Sequence, residues 1–255
     1  VSTEALTAPS PPDTRLAARK RIAIVPAYNE ERNIGRVIGE LRAFDHGLDI
    51  VVVSDGSVDR TVEVAREHGA HVIRLPFNLG IGGAVQTGFR YAWENGYELA
   101  VRVDGDGQHD PAQLARVLEP VLAGEADIVV GSRFAGDPGY RSSAARRVGI
   151  RVLAWVVSAI ARQRVTDSTS GFQALNRRAI GLFAGDYPHD YPEVEGMVMV
   201  IRHRLRLREV PVSMRAREHG RSSIGALGSI YYMAKVLLAL FVGLFRRTVV
   251  PLEDA

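Results

Sequence analysis

In the first half of the chain, short blocks of β-type residues alternate with stretches of helical period. The blocks run Arg21 to Val25, Asp49 to Val53, His71 to Leu75, Glu98 to Val103 and Asp127 to Gly131. Between them lie helical stretches to about Phe44, from Ser57, to about Asn95, and one opened by Asp110 as N-cap with Pro111 in the first helical position. A strand that feeds a helix and then another strand builds a mostly parallel sheet with helices on both faces, so the fold class is α/β. Ligands of such sheets gather at the carboxyl ends of the strands. The loops that matter are therefore Pro26 to Glu30, Ser54 to Ser57, Pro76 to Gly80, Asp104 to His109 and Gly131 to Arg133.

Beyond about residue 140 the alternation weakens. A helix is expected from about Ala144 to Ile160, a segment around Asp167 to Leu175, a helix near Glu193 to Arg204 and a strand from Leu207 to Ser213. Residues 1–20, with Pro9, Pro11 and Pro12 and no apolar run, read as a flexible tail rather than a signal peptide. The chain has no Cys, which excludes disulfide scaffolds, thiolate zinc sites and cysteine nucleophiles. Its basic residues are nearly all Arg, with Lys20 and Lys235 the only lysines, and Arg is the better fork for phosphate. Between Arg141 and Arg178 the only acid is Asp167, so the positive field sits in the second half.

Asp104-Gly105-Asp106 follows a valine-rich strand, and two carboxylates at i and i+2 can converge on one divalent cation. Gln108 adds a neutral oxygen, and an all-oxygen set suits Mg²⁺ or Mn²⁺. A calcium-binding EF-hand loop is excluded, because His109 stands where its glycine belongs and Ala115 where its last glutamate belongs. The plain alternative is a solvated Asp-Gly turn. Gly80-Ile81-Gly82 after a strand is only a partial dinucleotide fingerprint, since Val85 occupies the place of the last glycine. A P-loop, a His-Glu-x-x-His pair and a Gly-x-Ser-x-Gly elbow are all absent.

Taken together, Pro26-Ala27-Tyr28-Asn29-Glu30, Asp55-Gly56-Ser57, Asn78-Leu79-Gly80, Asp104-x-Asp106-x-Gln108-His109, Gly131-Ser132-Arg133 and Asp167 with Thr169-Ser170-Gly171-Phe172 resemble the family 2 glycosyltransferases of GT-A fold. Within them the likeness is to polyprenyl-phosphate mannose and glucose synthases of the dolichyl-phosphate mannose synthase type, over about residues 21–223. The resemblance implies a GT-A, Rossmann-like sheet and an inverting, metal-dependent hexosyltransferase. Its donor would be a nucleotide diphosphate sugar of the GDP-mannose or UDP-glucose type, its acceptor polyprenyl phosphate and its cation Mg²⁺ or Mn²⁺. Pro26, Tyr28, Glu30, Asp55 and Gly80 would hold the donor, with Asp104 near the ribose or sugar. Asp104, Asp106 and Gln108 would hold the metal, and Arg133, Arg147 and Arg217 the acceptor phosphate. Asp104, Asp106, Arg133 and Arg147 would carry the catalysis. The chain departs from the family in two places: Ser54 replaces the usual first Asp of Asp-Asp-Gly-Ser, and no Lys follows the Gly220-Arg221-Ser222 region.

Structural alternatives stand beside these roles: Tyr28 as a packing aromatic, Glu30 as a helix-start acid, each Arg as a surface ion pair. A phosphate acceptor is already anionic and needs cations, whereas a sugar hydroxyl needs a base, for which Asp167 and Glu195 are the candidates. A glycosyltransferase acting on a glycan hydroxyl and a nucleotide-sugar-binding module without turnover remain as alternatives.

Between Arg221 and Arg246 the only charge is Lys235. As a helix this stretch reaches across roughly 30 Å, but a mid-span Lys costs about 3 kcal/mol. Residues 224–255 are thus expected to form an apolar or amphipathic membrane-associated helix and tail, lying in the plane of the membrane. The chain is expected at the inner face of the cytoplasmic membrane, peripheral, without nucleic acid, and with homo-oligomer formation open.

Overall fold

Strand β1 (Arg21–Ala27) points Ile22 and Ile24 to one side and Ala23 and Val25 to the other, and all four are buried. A strand apolar on both faces must be covered on both, which is the condition of a central parallel strand. β2 (Asp49–Ser54) repeats the pattern, and β1 pairs with it in parallel from Ile22 opposite Asp49 to Ala27 opposite Ser54. β3 (His71–Arg74), β4 (Leu99–Arg102), β5 (Ile128–Ser132), β6 (Gln173–Asn176) and β7 (Leu207–Pro211) complete a seven-stranded sheet of order β3-β2-β1-β4-β6-β5-β7. Every pairing is parallel except those of β6, which runs antiparallel between β4 and β5.

This computed structural model describes residues 14–135, 144–161 and 163–215, and positions 235, 236 and 238. Helices α2 (Ile34–Phe44) and α5 (Leu114–Leu122) pack on one face of the sheet, where Val37, Leu41, Val117 and Val121 meet Ala23, Val52 and Val101. α3 (Thr61–Glu67) contributes Ala65 to this layer. On the other face α4 (Gly80–Glu94), α6 (Ala144–Ala161), α7 (Arg177–Gly185) and α8 (Pro192–Arg202) enclose Phe89, Val157, Phe183 and Val198 against Ile24 and Val130.

The expected α/β class, with a mostly parallel sheet flanked by helices, is what the chain adopts. Four local readings change. The tail expected over residues 1–20 is packed from Thr14, because a short helix α1 (Thr14–Ala17) buries Leu16 in the core. α3 starts at Thr61 rather than Ser57, since Ser57 to Asp59 are spent on hydrogen bonds to the loop after β1. The segment around Asp167 to Leu175, given no secondary structure, runs into β6, and α7 follows it without a sequence signal being read. Asn176 caps α7 by accepting the Ala179 N–H at 3.1 Å.

The C-terminal stretch is described at three positions only. Lys235 and Leu238 are exposed, whereas Val236 is fully buried in the cluster that holds Leu153 and Val157 of α6 and Val194 of α8. At Val236 the chain therefore packs on protein; the rest of the expected membrane helix lies outside the described residues. Among the described residues no helix is long and apolar enough to cross a membrane.

Asp127 staples β5, β6 and β7 at one end of the sheet. It accepts the Arg206 N–H at 2.7 Å, Arg206 Nε at 3.1 Å and Asn176 Nδ2 at 2.8 Å. Burial alone raises its pKa, but these donors outweigh burial and hold it down at about 2, below the ordinary 3.8. A depressed carboxylate stabilises the fold above its unfolded pKa, and that contribution is lost as pH falls from about 4 toward 2. The charge-dependent part is worth about 2 kcal/mol. Asp127→Asn should therefore lower the denaturant midpoint at pH 6 and converge with the parent chain at the acid end of the same titration.

Candidate active site

The loops at the carboxyl edge of β1 to β4 enclose a cleft of about 820 Å³. Pro26, Tyr28, Glu30, Asp55, Gly80, Asp104 and Asp106 all line it, so the donor-side residues named from sequence, and both paired aspartates, come together in one place.

Hydrogen bonds lace the first two loops together. Asn29 adopts a left-handed conformation (φ 56°), donates its N–H to Ser57 Oγ at 3.1 Å and accepts the Val58 N–H at 2.9 Å. The Glu30 N–H reaches Thr61 Oγ1 at 2.8 Å, and Glu30 Oε2 accepts from Asn33 Nδ2 at 2.7 Å. Glu30 thus serves the turn into α2 and faces the cleft as well. Tyr28 is half exposed, 51%, which removes the reading of it as a core aromatic.

The third loop is seated on the second. Buried Asp55 accepts the Leu79 N–H at 2.7 Å, and Gly56, at φ +70°, lies so close that a Cβ there would meet Asn78 N at 2.7 Å. The beginning of α4 is equally tight, because a side chain on Gly82 would strike the backbone at Pro188 and His189. Ser54, the departure from the family pattern, is fully buried, and its hydroxyl has no hydrogen-bond partner among the described residues.

Asp106 is 7% exposed and its Oδ1 accepts the Gln108 N–H at 3.0 Å, an Asx turn that fixes the loop. His109 is buried, stacks on Phe172 with centroids 5.0 Å apart, and accepts the Asp104 N–H on Nδ1 at 3.0 Å. An amide can only donate, so the ring proton sits on Nε2, which lies 3.7 Å from Asp104 Oδ2. Burial pushes the His109 pKa down and keeps the ring neutral, so His109 braces the loop.

Two carboxylates on one cleft wall fit a hard divalent cation whose remaining ligands are substrate phosphates and water, the usual arrangement for Mg²⁺. They do not form a complete protein cage: among the described residues no group of three or more His, Cys, Asp or Glu could enclose a cation. Gln108 is not among the residues that line the cleft.

The acceptor-side residues are less gathered. Arg133, just past β5, sends Nε and Nη2 to Asp167 at 2.7 and 2.8 Å, and Nη2 also to Thr169 Oγ1 at 2.6 Å. Glu209 of β7 in turn accepts the N–H groups of Thr166 and Asp167 at 2.7 and 2.8 Å, and burial raises its pKa. Asp167 is therefore wholly buried and occupied by Arg133, an arrangement unsuited to a general base. Arg147 lies on α6, with its side chain outside the described residues, as is Arg217 altogether. Glu195 is on α8 and partly exposed.

Sequence reasoning passed over Arg102, Tyr187, Glu193 and Glu209. The signal for Arg102 was available, since it is a charged residue between Val101 and Val103 in an otherwise apolar strand.

The family model described as Glycosyl transferase family 2 matches residues 22–180. The chain is 33% identical over 216 residues to the undecaprenyl-phosphate mannosyltransferase of Micrococcus luteus, covering 80% of this chain and 86% of that one. It is 30% identical over 210 residues to the UDP-N-acetylglucosamine–dolichyl-phosphate N-acetylglucosaminyltransferase of Methanococcus voltae, covering 74% and 83%. Among solved structures, glucosyl-3-phosphoglycerate synthase from Mycobacterium tuberculosis, in complex with Mn²⁺, UDP and glucosyl-3-phosphoglycerate, superposes with a TM-score of 0.70. That match has 20% identity and covers 92% of this chain and 83% of the other, a likeness of fold.

Proposed function

The chain belongs to glycosyl transferase family 2, and from that premise we propose that it moves one hexose from a nucleotide diphosphate sugar to polyprenyl phosphate, with inversion at the anomeric carbon. The observation that carries the donor half is the meeting of Asp55, Asp104 and Asp106 with the Tyr28 to Glu30 loop in a single cleft. Relatives named for undecaprenyl and dolichyl phosphate support the acceptor half.

In this reading Tyr28, Glu30 and Asp55 hold the nucleoside, Pro26 and Gly80 shape the wall behind it, and Asp104 faces the ribose or sugar. Asp106 and Asp104 would hold Mg²⁺ or Mn²⁺, without Gln108, which stands outside the cleft lining; the structural neighbour solved with Mn²⁺ is consistent with such a cation. When bound, a divalent cation neutralises the charge that builds on the departing nucleoside diphosphate. An oxygen of the acceptor phosphate attacks the anomeric carbon as the bond to the diphosphate oxygen breaks. No proton has to be removed, because that phosphate is already anionic at neutral pH. Catalysis on this side is positioning, which we assign to Arg147 and Arg217 together with Arg133 held in its fork on Asp167. The lipid tail of such an acceptor stays in a bilayer, so the chain works as a peripheral protein at the inner membrane surface.

Incubation with a panel of labelled nucleotide sugars and membrane lipid extract, followed by phase separation, tests the reading. Label in the organic phase supports it. Label in aqueous glycan points instead to a hydroxyl acceptor, and tight donor binding without label to a binding module. Within the same assay Arg147→Ala should raise the KM for the lipid acceptor about tenfold or more while donor affinity, measured by calorimetry, stays within about twofold. An equal loss on the donor side removes Arg147 from the acceptor site.

A further inference from the structure

Arg102, the last residue of β4, is 1% exposed. Alternation along the strand sends Val101 and Val103 into the layer beneath α2 and α5, and sends Arg102 and Asp104 to the opposite face. There Arg102 Nη2 meets Glu193 Oε1 at 2.7 Å and Asp104 Oδ1 at 3.5 Å, and Nη1 donates to Tyr187 Oη at 3.2 Å. Its Nε has no acceptor among the described residues.

A guanidinium is a poor choice for this position on stability grounds. Taking it out of water costs several kcal/mol, and a buried ion pair replaced as a whole by apolar side chains of similar volume usually leaves a fold as stable or more so. A strand buried on both faces would ordinarily carry Val or Ile here. The useful part of the arrangement lies in where the cation points. One edge of the guanidinium is anchored to Tyr187 and to Glu193 at the start of α8, and Nη2 also faces the carboxylate of Asp104 on the cleft wall. A third segment leaves room for this contact: a Cβ on Gly171 would lie 2.8 Å from Arg102 Nη2 and 3.2 Å from Asp104 Oδ2. His109 limits the same carboxylate from the other side, at 3.7 Å.

We propose that Arg102 is a positioning residue: anchored on Glu193 and Tyr187, it sets the carboxylate of Asp104 in the cleft and supplies the interior counter-charge that lets this carboxylate stand beside Asp106 and an anionic donor. This inference rests on the glycosyltransferase reading above. It also gives Gly171 a definite task, to keep the space between the Thr169–Phe172 segment and the Arg102–Asp104 pair empty of side chain.

A double-mutant cycle on the full chain tests it, with kcat/KM and calorimetric donor affinity as paired readouts. Arg102→Met should fold cooperatively and lose about 100-fold in kcat/KM, the range expected when the partner of a site ligand is removed. Arg102→Lys, which keeps a cation but not the fork, should recover part of that loss. If Arg102 acts through Asp104, Asp104→Asn and the Asp104→Asn/Arg102→Met double variant should agree within about twofold in both readouts. Losses that multiply, or an Arg102→Met variant within about threefold of the parent, overturn the proposal. Should Arg102→Met fail to fold, Arg102→Lys takes its place in the cycle under the same criteria. A parent chain that turns over no donor overturns the function reading, and the positioning role with it.

Discussion

Asp106→Ala should lower turnover by at least about 10³-fold, and EDTA should do the same to the parent chain, reversibly on adding Mg²⁺ or Mn²⁺. The size of the effect follows from the site. Among the described residues no third His, Cys, Asp or Glu groups with Asp104 and Asp106 to hold a cation. Because Asp106 also fixes its loop through the Gln108 N–H, Ala removes a turn as well as a charge. Asp106→Asn separates the two: the amide oxygen keeps the turn, so thermal stability should stay near that of the parent, while activity should fall as far as in the Ala variant. Full activity in chelator removes the cation from the mechanism, and an active Asn variant removes the need for the Asp106 charge.

The second large effect is on stability. Asp167 is fully buried, the Arg133 side chain is 9% exposed, and a two-armed fork joins them. Asp167→Ala removes both arms of this fork and the acceptor of the Arg133 N–H and of Thr169, and should cost about 3–5 kcal/mol in denaturant unfolding. Replacing both members, as Arg133→Met with Asp167→Leu, should recover most of that loss, because a buried ion pair exchanged as a whole for apolar side chains is often neutral. The double variant should nevertheless transfer poorly to polyprenyl phosphate. An Asp167→Ala chain as stable as the parent shows that the pair carries no stability, and an active double variant removes Arg133 from the acceptor site.

What the sequence makes legible follows the distance over which each contact acts. β1, β2 and β4 announce themselves because both their faces are apolar, and the loops after them carry Tyr28, Asp55 and Asp104 in plain view. β6 does not, since four residues from Gln173 to Asn176 are too few for a period, and their antiparallel course is held by Asp127, 49 positions away from Asn176. The fork of Arg133 closes over 34 residues and the anchor of Arg102 over 91. Spacing along the chain carries no trace of either pairing, so an arginine read as a ligand for phosphate proves to hold a carboxylate first. The C-terminal stretch was read from its own hydropathy, which cannot distinguish a lipid-facing side chain from one, such as Val236, that enters the core.

The loop that carries Asp106 is also tied to the chain just beyond β7. His109 and Met214 form an antiparallel bridge, the Arg215 N–H donates to Gln108 O at 2.9 Å, and the Arg215 side chain clasps Glu40 and Asp110. The polypeptide thus leaves Arg215 from a point tied to the Asp104–His109 loop. A fluorophore placed at Met214 would therefore report on displacement of the Asp104–His109 loop at the edge of the cleft.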